Sequence, residues 1–486
     1  MIGGNILAGK DLTMADLLIR DGYLVTMDPD RRVLEDGAVA ITDGRIVAVG
    51  PSAEVAAAHP AQQTISARHQ AIMPGFVDVH AHAGHGLVKT MGSGSSDRWT
   101  EAVETIYPRG STPAFWEAEA ELSALERLRA GVTTGLSIFG AYGSRTDDAE
   151  FADGHVRAYG RVGVRNVLAV GASPPPYPNR FVAKTGAATE VPLATQLAVS
   201  EEVARRWHGH DGGRTRIMLC APVWWPGRPG ASAELSGAYR ATAEAVRDLS
   251  RRVGWGFTQD GHQKGTVRAA YAAGLMGKDA LFSHCVDIEA DEIAAIASTG
   301  TKVAHNPSAN MSIRGYCPVP ALLDAGASVA IGSDGTAPDR SYDMFRHMWQ
   351  AMHYHRTHHK DPMLLPPGKV LEMVTCDAAA CLGLEDTVGS LAVGKAADVI
   401  LVDLRRPHLY PPTQPLYRLT CFAVGSDVAT VIVGGRVLMR DRVVAHVDEE
   451  AVLDRAAAET KAMLDRTGLH AMLETPRGFW KSTRYG

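Results

Sequence analysis

Eight strand-like segments alternate with helix-like segments between residues 73 and 388 of this 486-residue chain. Residues 112–130, for example, have apolar positions at helical spacing, end at Gly131 and are followed by a β-branched run. The eight candidate strands are the segment before His80 and residues 132–139, 164–171, 215–223, 253–259, 280–285, 302–306 and 329–335. This count predicts an α/β fold of the (β/α)8 TIM barrel type, in which reactive groups collect at the carboxyl ends of the strands.

The regions flanking the barrel consist of short strand-like runs separated by glycine turns. Asp43-Gly44, between two β-branched runs, is a strong hairpin signal. Strand-like apolar runs separated by glycine turns occur again after residue 389. We therefore expect a small β-sandwich domain built from both termini, around a catalytic barrel. The predicted boundaries are residues 1–72 and 389–448 for the β-sandwich, 73–388 for the barrel and 449–486 for C-terminal helices.

Composition narrows the choice of partners and compartment. The net charge is −5, with both signs interspersed and no basic stripe, so nucleic acid is a poor partner and a small molecule is the expected ligand. The six cysteines form no Cys-x-x-Cys pair, as is typical of thiols in a reducing cytosol. Since the chain shows neither a signal peptide nor an apolar run of about 18 residues, we expect a cytoplasmic protein without a membrane partner.

His80 and His82 end the first candidate strand as His-x-His. Alternate residues of a strand share a face, so both imidazoles can bind one metal ion. His284, His305 and Asp334 also fall at strand ends. A denser histidine cluster, which is expected to be structural or solvated because it lies off any strand end, consists of His353, His355, His358 and His359.

Together these motifs resemble the metal-dependent amidohydrolase superfamily, and within it the triazine hydrolases and amino-heterocycle deaminases. The resemblance covers nearly the whole chain, and the order and spacing of the motifs are highly specific. The matching segments are Pro74-Gly-Phe-Val-Asp-Val-His80-Ala-His82, Ser283-His284-Cys285, Ala304-His305-Asn-Pro-Ser-Ala-Asn310-Met, Gly332-Ser-Asp334-Gly335 and Gly389-Ser-Leu-Ala-Val-Gly-Lys-Ala-Ala-Asp398.

The resemblance implies roles for two of these residues. Asp334 is expected to contact the metal, accept a proton from water and pass it to the leaving amine, while His284 lies beside the water and the substrate. Residues 215–223 contain no lysine that could be carbamylated to bridge two metals, so one divalent ion per chain is expected. Zinc is the default, and iron, cobalt or manganese would compete if a ligand is weakened.

The fifth strand departs from the family pattern, in which a histidine ligand is followed three residues later by a proton-shuttling glutamate. This chain has Phe257-Thr-Gln259-Asp260-Gly-His262. If Gln259 takes the histidine position, His262 takes the glutamate position as a catalytic residue. A register slip of one or two residues promotes Asp260 instead, and His284 or His262 could also complete the metal site. The predicted ligands are therefore His80, His82, His284, Asp334 and Gln259, with the last left open.

The lost glutamate favours one reaction over another. Ring deamination needs an acid to protonate the heterocycle, whereas cleavage of an amide, urea or carbamate needs mainly a polarised carbonyl and a protonated leaving amine. Segments like residues 80–89 also resemble hydrolases of N-substituted ureas and thiocarbamates. Hydrolysis of a C–N bond in a small, apolar or aryl-bearing molecule is the main prediction. The alternatives are a deaminase or dechlorinase of an amino-heterocycle, and a metal-free, non-catalytic barrel.

Several residues near the strand ends are candidates for substrate binding. Trp99 and Tyr142 add to an aromatic pocket mouth that suits an apolar substrate. The substrate-binding candidates are His85, Lys89, Trp224, Trp225, His305 and Asn310. By analogy with the family, the chain is expected to form a homo-oligomer.

Overall fold

The computed structural model describes residues 14–93, 95–139, 145–182, 185–228 and 230–484. Eight parallel strands form a barrel in which strands adjacent in sequence are adjacent in space. Their bounds are Phe76–Asp78 (β1), Val132–Phe139 (β2), Arg165–Val170 (β3), Thr215–Ala221 (β4), Phe257–Gln259 (β5), Ala280–Ser283 (β6), Lys302–His305 (β7) and Val329–Ile331 (β8). The predicted (β/α)8 barrel is confirmed.

Backbone bridges complete the barrel between β1 and β8. The amide of Ile331 donates to the carbonyl of Met373, and the amide of Val77 donates to the carbonyl of Val374. At the carboxyl end, the amide of Asp334 donates to the carbonyl of His80 over 2.9 Å. This last hydrogen bond joins two predicted site residues through the backbone.

Helices surround the barrel and bury its outer face, which explains why the barrel strands are almost entirely buried and mostly apolar. The first long helix after β1 begins after Thr112, whose hydroxyl accepts from the amide of Phe115, and ends before Gly131. The described helices of six residues or more are Ser52–Ala58, Ser96–Thr105, Pro113–Arg129, Ala149–Val162, Leu193–Trp207, Ala233–Val253, Thr266–Ala272, Ala290–Thr299, Val319–Asp324, Met344–His359, Pro367–Glu372, Cys376–Cys381, Pro415–Cys421 and Glu449–Thr467.

A second sheet combines strands from both ends of the chain, as expected for the β-sandwich domain. Val399–Asp403 pairs antiparallel with Gln70–Pro74 and so connects the two halves. The predicted hairpin at Asp43-Gly44 is present, with φ of 51° and 72° at the two turn residues. The domain boundaries stay predictions. The strands are Ala15–Val25, Val33–Thr42, Arg45–Pro51, Ala61–Ser66, Gln70–Pro74, Val399–Asp403, Val428–Val433 and Arg436–Met439, and a separate hairpin pairs Asn179–Val182 with Ala188–Val191.

The loop predicted for residues 356–367 is shorter than expected. The helix Met344–His359 continues through Arg356, and the loop begins where Lys360 adopts a left-handed φ of 55°. Its apolar residues Met344, Met348 and Met352 are buried at helical spacing, and this packing carries the helix on through the histidine-rich end. Within the described residues, no helix combines the length and the apolar character that crossing a membrane requires.

Candidate active site

Five ionisable side chains meet at the carboxyl ends of four barrel strands. We call them the ligand group: His80 and His82 follow β1, Asp260 follows β5, His284 follows β6 and Asp334 follows β8. One nitrogen or oxygen from each of His80, Asp260, His284 and Asp334 lies within 4.8 Å of the others. The parallel strands explain the meeting, because all their carboxyl ends lie on one face of the barrel.

The two carboxylates lie between the imidazoles. Oδ1 of Asp260 lies 3.2 Å from Nε2 of His80 and 3.2 Å from Nε2 of His284. Oδ1 of Asp334 lies 3.1 Å from Nε2 of His82 and 3.3 Å from Nε2 of His80. Nε2 of His82 is also 3.4 Å from Oδ2 of Asp260. The donor atoms therefore converge on a common centre.

The donor set fits a divalent transition metal. Three imidazoles and two carboxylates are the ligand types that zinc and its neighbours bind. Both ring nitrogens of His80 and Nδ1 of His82 are buried without a hydrogen-bond partner among the described residues. Buried polar atoms without partners are costly. A metal ion bound by these ring nitrogens would supply the missing partners.

The structure places Asp260, and not Gln259, in the ligand group. Gln259 is the last residue of β5, and its Nε2 donates over 2.9 Å to the carbonyl of Pro222 beside the neighbouring strand. Successive side chains of a strand point to opposite sides, so the next residue turns towards the histidines. Ser283 Oγ, at the end of β6, donates to the carboxylate of Asp260. The geometry therefore brings Asp260, the candidate of the slipped register, next to the histidines, and the identity of the fifth-strand ligand stays a prediction.

Electrostatics keep both carboxylates ionised. Burial alone would raise the pKa of Asp260, but the charges of His80 and His82 hold it well below its usual range. For Asp334, burial is likewise outweighed, here mainly by the charge of Arg340 and then by His284. Both side chains are therefore available as anionic ligands.

A buried network under the site holds Asp334 in an uncommon backbone conformation. Asp334 has φ of 61°, a left-handed value that costs a non-glycine residue free energy. The preceding Ser333 donates to Asp78 through its amide over 2.9 Å and through its hydroxyl over 2.7 Å. Arg127 Nη2 donates to the same carboxylate over 2.9 Å, and its guanidinium lies 4.3 Å from the ring centroid of Tyr342. Asp78 thus fixes the loop that carries Asp334.

We expect Arg127→Met to lower the free energy of unfolding by about 3–5 kcal/mol, because it leaves the fully buried carboxylate of Asp78 without its cation. Arg129→Met, on the same helix, removes a partly exposed ion pair with Glu449 and should cost under about 1 kcal/mol. Urea unfolding of both variants measures the difference. Equal midpoints would show that the Asp78 network does not stabilise the fold.

Two predicted histidines lie beside the ligand group in different settings. The ring of His85 lies 4.6 Å from that of His82, and it packs so closely on Gly335 that a Cβ there would lie 2.4 Å from Nδ1 of His85. His262 stacks on Phe282 at 3.9 Å, and its Nδ1 lies 2.9 Å from Oγ1 of Thr266. Burial lowers the pKa of His262 to about 3, so this imidazole is neutral and poorly suited to deliver a proton.

Three other candidates make contacts that direct their polar groups elsewhere. Lys89 forms an ion pair with Glu126. Trp224 donates from Nε1 over 3.1 Å to Oγ of Ser236. Trp225, in contrast, lines a cavity that reaches Asp260. Of the three, Trp225 alone is placed to contact a substrate near the ligand group.

His305 ends β7 and Asn310 follows it, and the two residues differ in their relation to the ligand group. Oδ1 of Asn310 lies 3.1 Å from Nδ1 of His284 and so orients a ligand imidazole. His305 pairs through Nε2 with Nε2 of His355 at 3.3 Å, and burial together with His355 lowers its pKa well below the usual value. His355 therefore has a structural contact, and its neighbour His358 stacks on Tyr316 at 3.7 Å.

Two cavities adjoin the ligand group. The larger, about 500 Å³, reaches Asp260 and is lined in part by Phe181, Trp225 and Gln263. The smaller, about 210 Å³, is lined by His82, His85, Trp99, Thr100, Ile313, Arg314, Asp334 and Arg340. Arg340 was missed in the sequence because it lies six residues beyond Asp334, outside every motif. Tyr142, predicted at the pocket mouth, lies outside the described residues.

Comparisons of sequence agree with this architecture. A profile of the amidohydrolase family matches residues 71–438, and one of an imidazolonepropionase-like composite domain matches residues 37–61. A 5-methylthioadenosine/S-adenosylhomocysteine deaminase of Desulforudis audaxviator is 32% identical over 468 residues, covering 92% of this chain and 99% of the deaminase. A 5'-deoxyadenosine deaminase of Methanosarcina barkeri is 30% identical over 478 residues, covering 93% and 99%.

Solved structures share the fold over most of the chain. An adenosine deaminase from Xanthomonas campestris with bound zinc superposes with a TM-score of 0.78 at 25% identity, covering 93% of this chain and 99% of its own. An atrazine chlorohydrolase from Arthrobacter aurescens, solved with zinc, gives a TM-score of 0.77 at 22% identity, covering 91% and 100%. The chain belongs to the amidohydrolase family and is a metal-dependent hydrolase that acts on carbon–nitrogen bonds other than peptide bonds.

Proposed function

We propose that this enzyme hydrolyses the C–N bond of a small amide, urea or carbamate that carries an apolar or aryl group. The ligand group would hold one divalent ion per chain, with zinc as the first choice among metals that suit imidazole and carboxylate. Bound there, the ion would lower the pKa of water and polarise the scissile carbonyl. The remaining chemistry belongs to the side chains around it.

In this proposal, Asp334 accepts and returns the proton. Its Oδ1 faces His82 and His80, whereas its Oδ2 is the oxygen nearer Arg340 and the smaller cavity. As water adds to the carbonyl carbon, its proton passes to Oδ2 and the carbonyl electron pair moves onto oxygen. When the carbonyl re-forms, the C–N bond breaks, and the proton passes from Oδ2 to the leaving nitrogen. Atoms and charge balance without another reactant.

His284 is oriented for a role beside the water. Nδ1 of His284 lies 3.1 Å from Oδ1 of Asn310, so a neutral ring beside a bound ion would donate from Nδ1–H to Asn310 and direct the lone pair of Nε2 at the ligand group. Asn310 is therefore a positioning residue for His284, and a direct contact with the substrate is not needed to explain it.

The residue three positions after Asp260 bears on whether the enzyme hydrolyses a carbonyl compound or deaminates a ring. With Asp260 in the ligand position, the position of the family's proton-shuttling glutamate falls on Gln263, a neutral amide that lines the larger cavity. His262 is turned onto Phe282 and Thr266. Besides the ligand carboxylates, the acidic residue lining either cavity is Glu104, which is exposed. The lack of a further buried acid among the described residues that line the two cavities supports carbonyl hydrolysis over ring deamination, which needs such an acid.

Deamination of an amino-heterocycle is the second candidate, and the sequence relatives support it more directly than the first. The two deaminases described above act on adenine nucleosides by name and align over nine-tenths of this chain. The larger cavity, at about 500 Å³, lies in the size range of small-molecule sites. Gln263 would then have to hydrogen-bond the ring in place of an acid.

Product analysis of the zinc-loaded enzyme decides between the candidates. We expect aniline release from acetanilide, phenylurea or a phenylcarbamate, and no ammonia from 5'-deoxyadenosine or 5-methylthioadenosine. Ammonia from the nucleosides without aniline release would establish the second candidate. Elemental analysis of the same preparation, before and after dialysis against a chelator, ties any activity to the metal. Absence of both products from a preparation with about one metal per chain would contradict both candidates.

A further inference from the structure

The smaller cavity next to the ligand group has an unusual charge balance. Its charged lining consists of the ligand Asp334 and two arginines, Arg314 and Arg340. His85 adds a buried ring that lies 4.6 Å from the ring of His82. A cavity of about 210 Å³ with two cations in its wall favours a negative charge inside it.

Arg340 is the more informative of the two arginines. Its side chain is only 5% exposed, and its nearest carboxylate oxygen, Oδ2 of Asp334, is 3.7 Å from Nη1. Nη1 donates to the carbonyl of Ala337, and Nε is buried without a partner among the described residues. A buried guanidinium with five donors normally receives a carboxylate at hydrogen-bond distance. Asp334 lies beyond hydrogen-bond distance of Arg340, so within the described part of the chain the guanidinium lacks such a partner.

The imbalance grows when the ligand group holds a divalent ion. The two carboxylates, Asp260 and Asp334, then offset the charge of the ion, and the positive charge of Arg340 has no counterpart in the cavity wall. An uncompensated buried charge is strongly unfavourable. The site in its working form is therefore preorganised for one negative charge beside Asp334.

We propose that Arg340 binds the substrate oxygen that becomes negative when water adds to the carbonyl carbon, and that the smaller cavity is an oxyanion site. The inference rests on the proposed carbonyl hydrolysis and extends it. The charge appears only as the carbonyl electron pair moves to oxygen, so Arg340 would stabilise the transition state more than the bound substrate. The same geometry predicts that stable tetrahedral anions, such as phosphonates, bind at this place.

Calorimetric titration of the zinc-loaded enzyme tests the proposal without relying on turnover. Phenylphosphonate serves as the anionic probe and acetophenone, which has a carbonyl group but no C–N bond to cleave, as the neutral one. We expect Arg340→Gln to weaken the binding of phenylphosphonate by about 10-fold to 100-fold, the range for a lost hydrogen bond to a charged group, and the binding of acetophenone by less than about 3-fold. Arg340→Lys should restore part of the loss, since it keeps the charge but not the planar donor pair.

Matched controls separate this role from a structural one. Arg346→Gln makes the same chemical change at an exposed position of the helix Met344–His359, outside the lining of both cavities, and should leave phenylphosphonate binding unchanged. Elemental analysis of each variant should still find about one zinc per chain, which shows that the ligand group is intact. With active wild type, Arg340→Gln should lower kcat more than it raises KM.

The outcomes are distinguishable from failure of the proposed function. If the wild type does not bind phenylphosphonate, or if Arg340→Gln and Arg340→Lys bind it like the wild type, the oxyanion site is overturned. Equal losses for both probes would assign Arg340 a structural role and also overturn it. If instead the binding pattern holds but anilides and ureas are not cleaved, the anion site stands and the proposed reaction falls.

Discussion

Asp334→Asn is expected to lower kcat by about 10²-fold to 10⁴-fold, the range for loss of a general acid–base group. The amide keeps the shape of the side chain, but it cannot accept the proton of water at Oδ2 or return it to the leaving nitrogen. The backbone contacts that hold Asp334 are unchanged. They include the hydrogen bond from its amide to the carbonyl of His80 and the hydrogen bond from the amide of Ser333 to Asp78. Steady-state kinetics on the best substrate of the panel measure the effect.

Metal content must be measured with the same samples, because Asp334 also belongs to the ligand group. A variant that retains zinc and loses kcat supports the proton-transfer role. A variant that loses zinc in proportion to activity supports a ligand role alone. Asp324→Asn makes the same chemical change at an exposed helix end and should leave kcat and zinc content unaltered. Full activity in Asp334→Asn with normal zinc would contradict the mechanism.

The barrel and its companion sheet could be predicted from the sequence because their signals are local and repeated. Each barrel strand is a short apolar run followed by turn residues, and eight such runs identify the architecture even when single bounds are wrong. The Asp43-Gly44 hairpin shows the same locality, since both residues supply the positive φ that the turn needs. The helix end at Lys360 was missed because burial of its methionine face, a tertiary effect, extends it past the polar histidines.

The site was predictable only in part, for a physical reason. Strand periodicity placed His80 and His82 on one face, and the structure brings both together with His284 and Asp334. At the end of β5, a shift of one residue exchanges the two faces of the strand, and nothing in the local sequence determines that shift. Contacts with the neighbouring strands determine it: the carbonyl of Pro222 accepts a hydrogen bond from the side-chain amide of Gln259, and the hydroxyl of Ser283 donates one to the carboxylate of Asp260.

Two residues that support the site had contacts that the sequence did not reveal: Arg340, which lies outside the motifs, and Asp78, which lies within the first motif. Arg340 reaches Asp334 through the loop after β8, and Asp78 reaches Ser333 from inside β1, where it precedes the histidine pair. Both contacts depend on which chain segments the barrel brings together. A single sequence offers no periodicity that would reveal such contacts, so they became visible only with the fold.

Replacing Asp260 and Gln259 in turn provides the most direct test of the fifth-strand assignment. We expect Asp260→Asn to weaken zinc binding by more than about 10-fold, because it removes a carboxylate that lies between two imidazoles. Gln259→Ala removes the hydrogen bond from the side-chain amide to the carbonyl of Pro222 and should leave zinc affinity within about 3-fold of the wild type. Competition with a zinc-selective fluorescent chelator measures both affinities on the same scale.

The contrast between the two variants carries the argument, since either change alone could act through the fold. The two residues are adjacent at the end of β5, so general damage to the strand end should affect both variants alike. A loss confined to Asp260→Asn establishes the carboxylate as a ligand and leaves Gln263 in the position where the relatives' acid would lie. The reverse pattern would restore Gln259 as the ligand, place His262 in that position and reopen ring deamination as the main reaction.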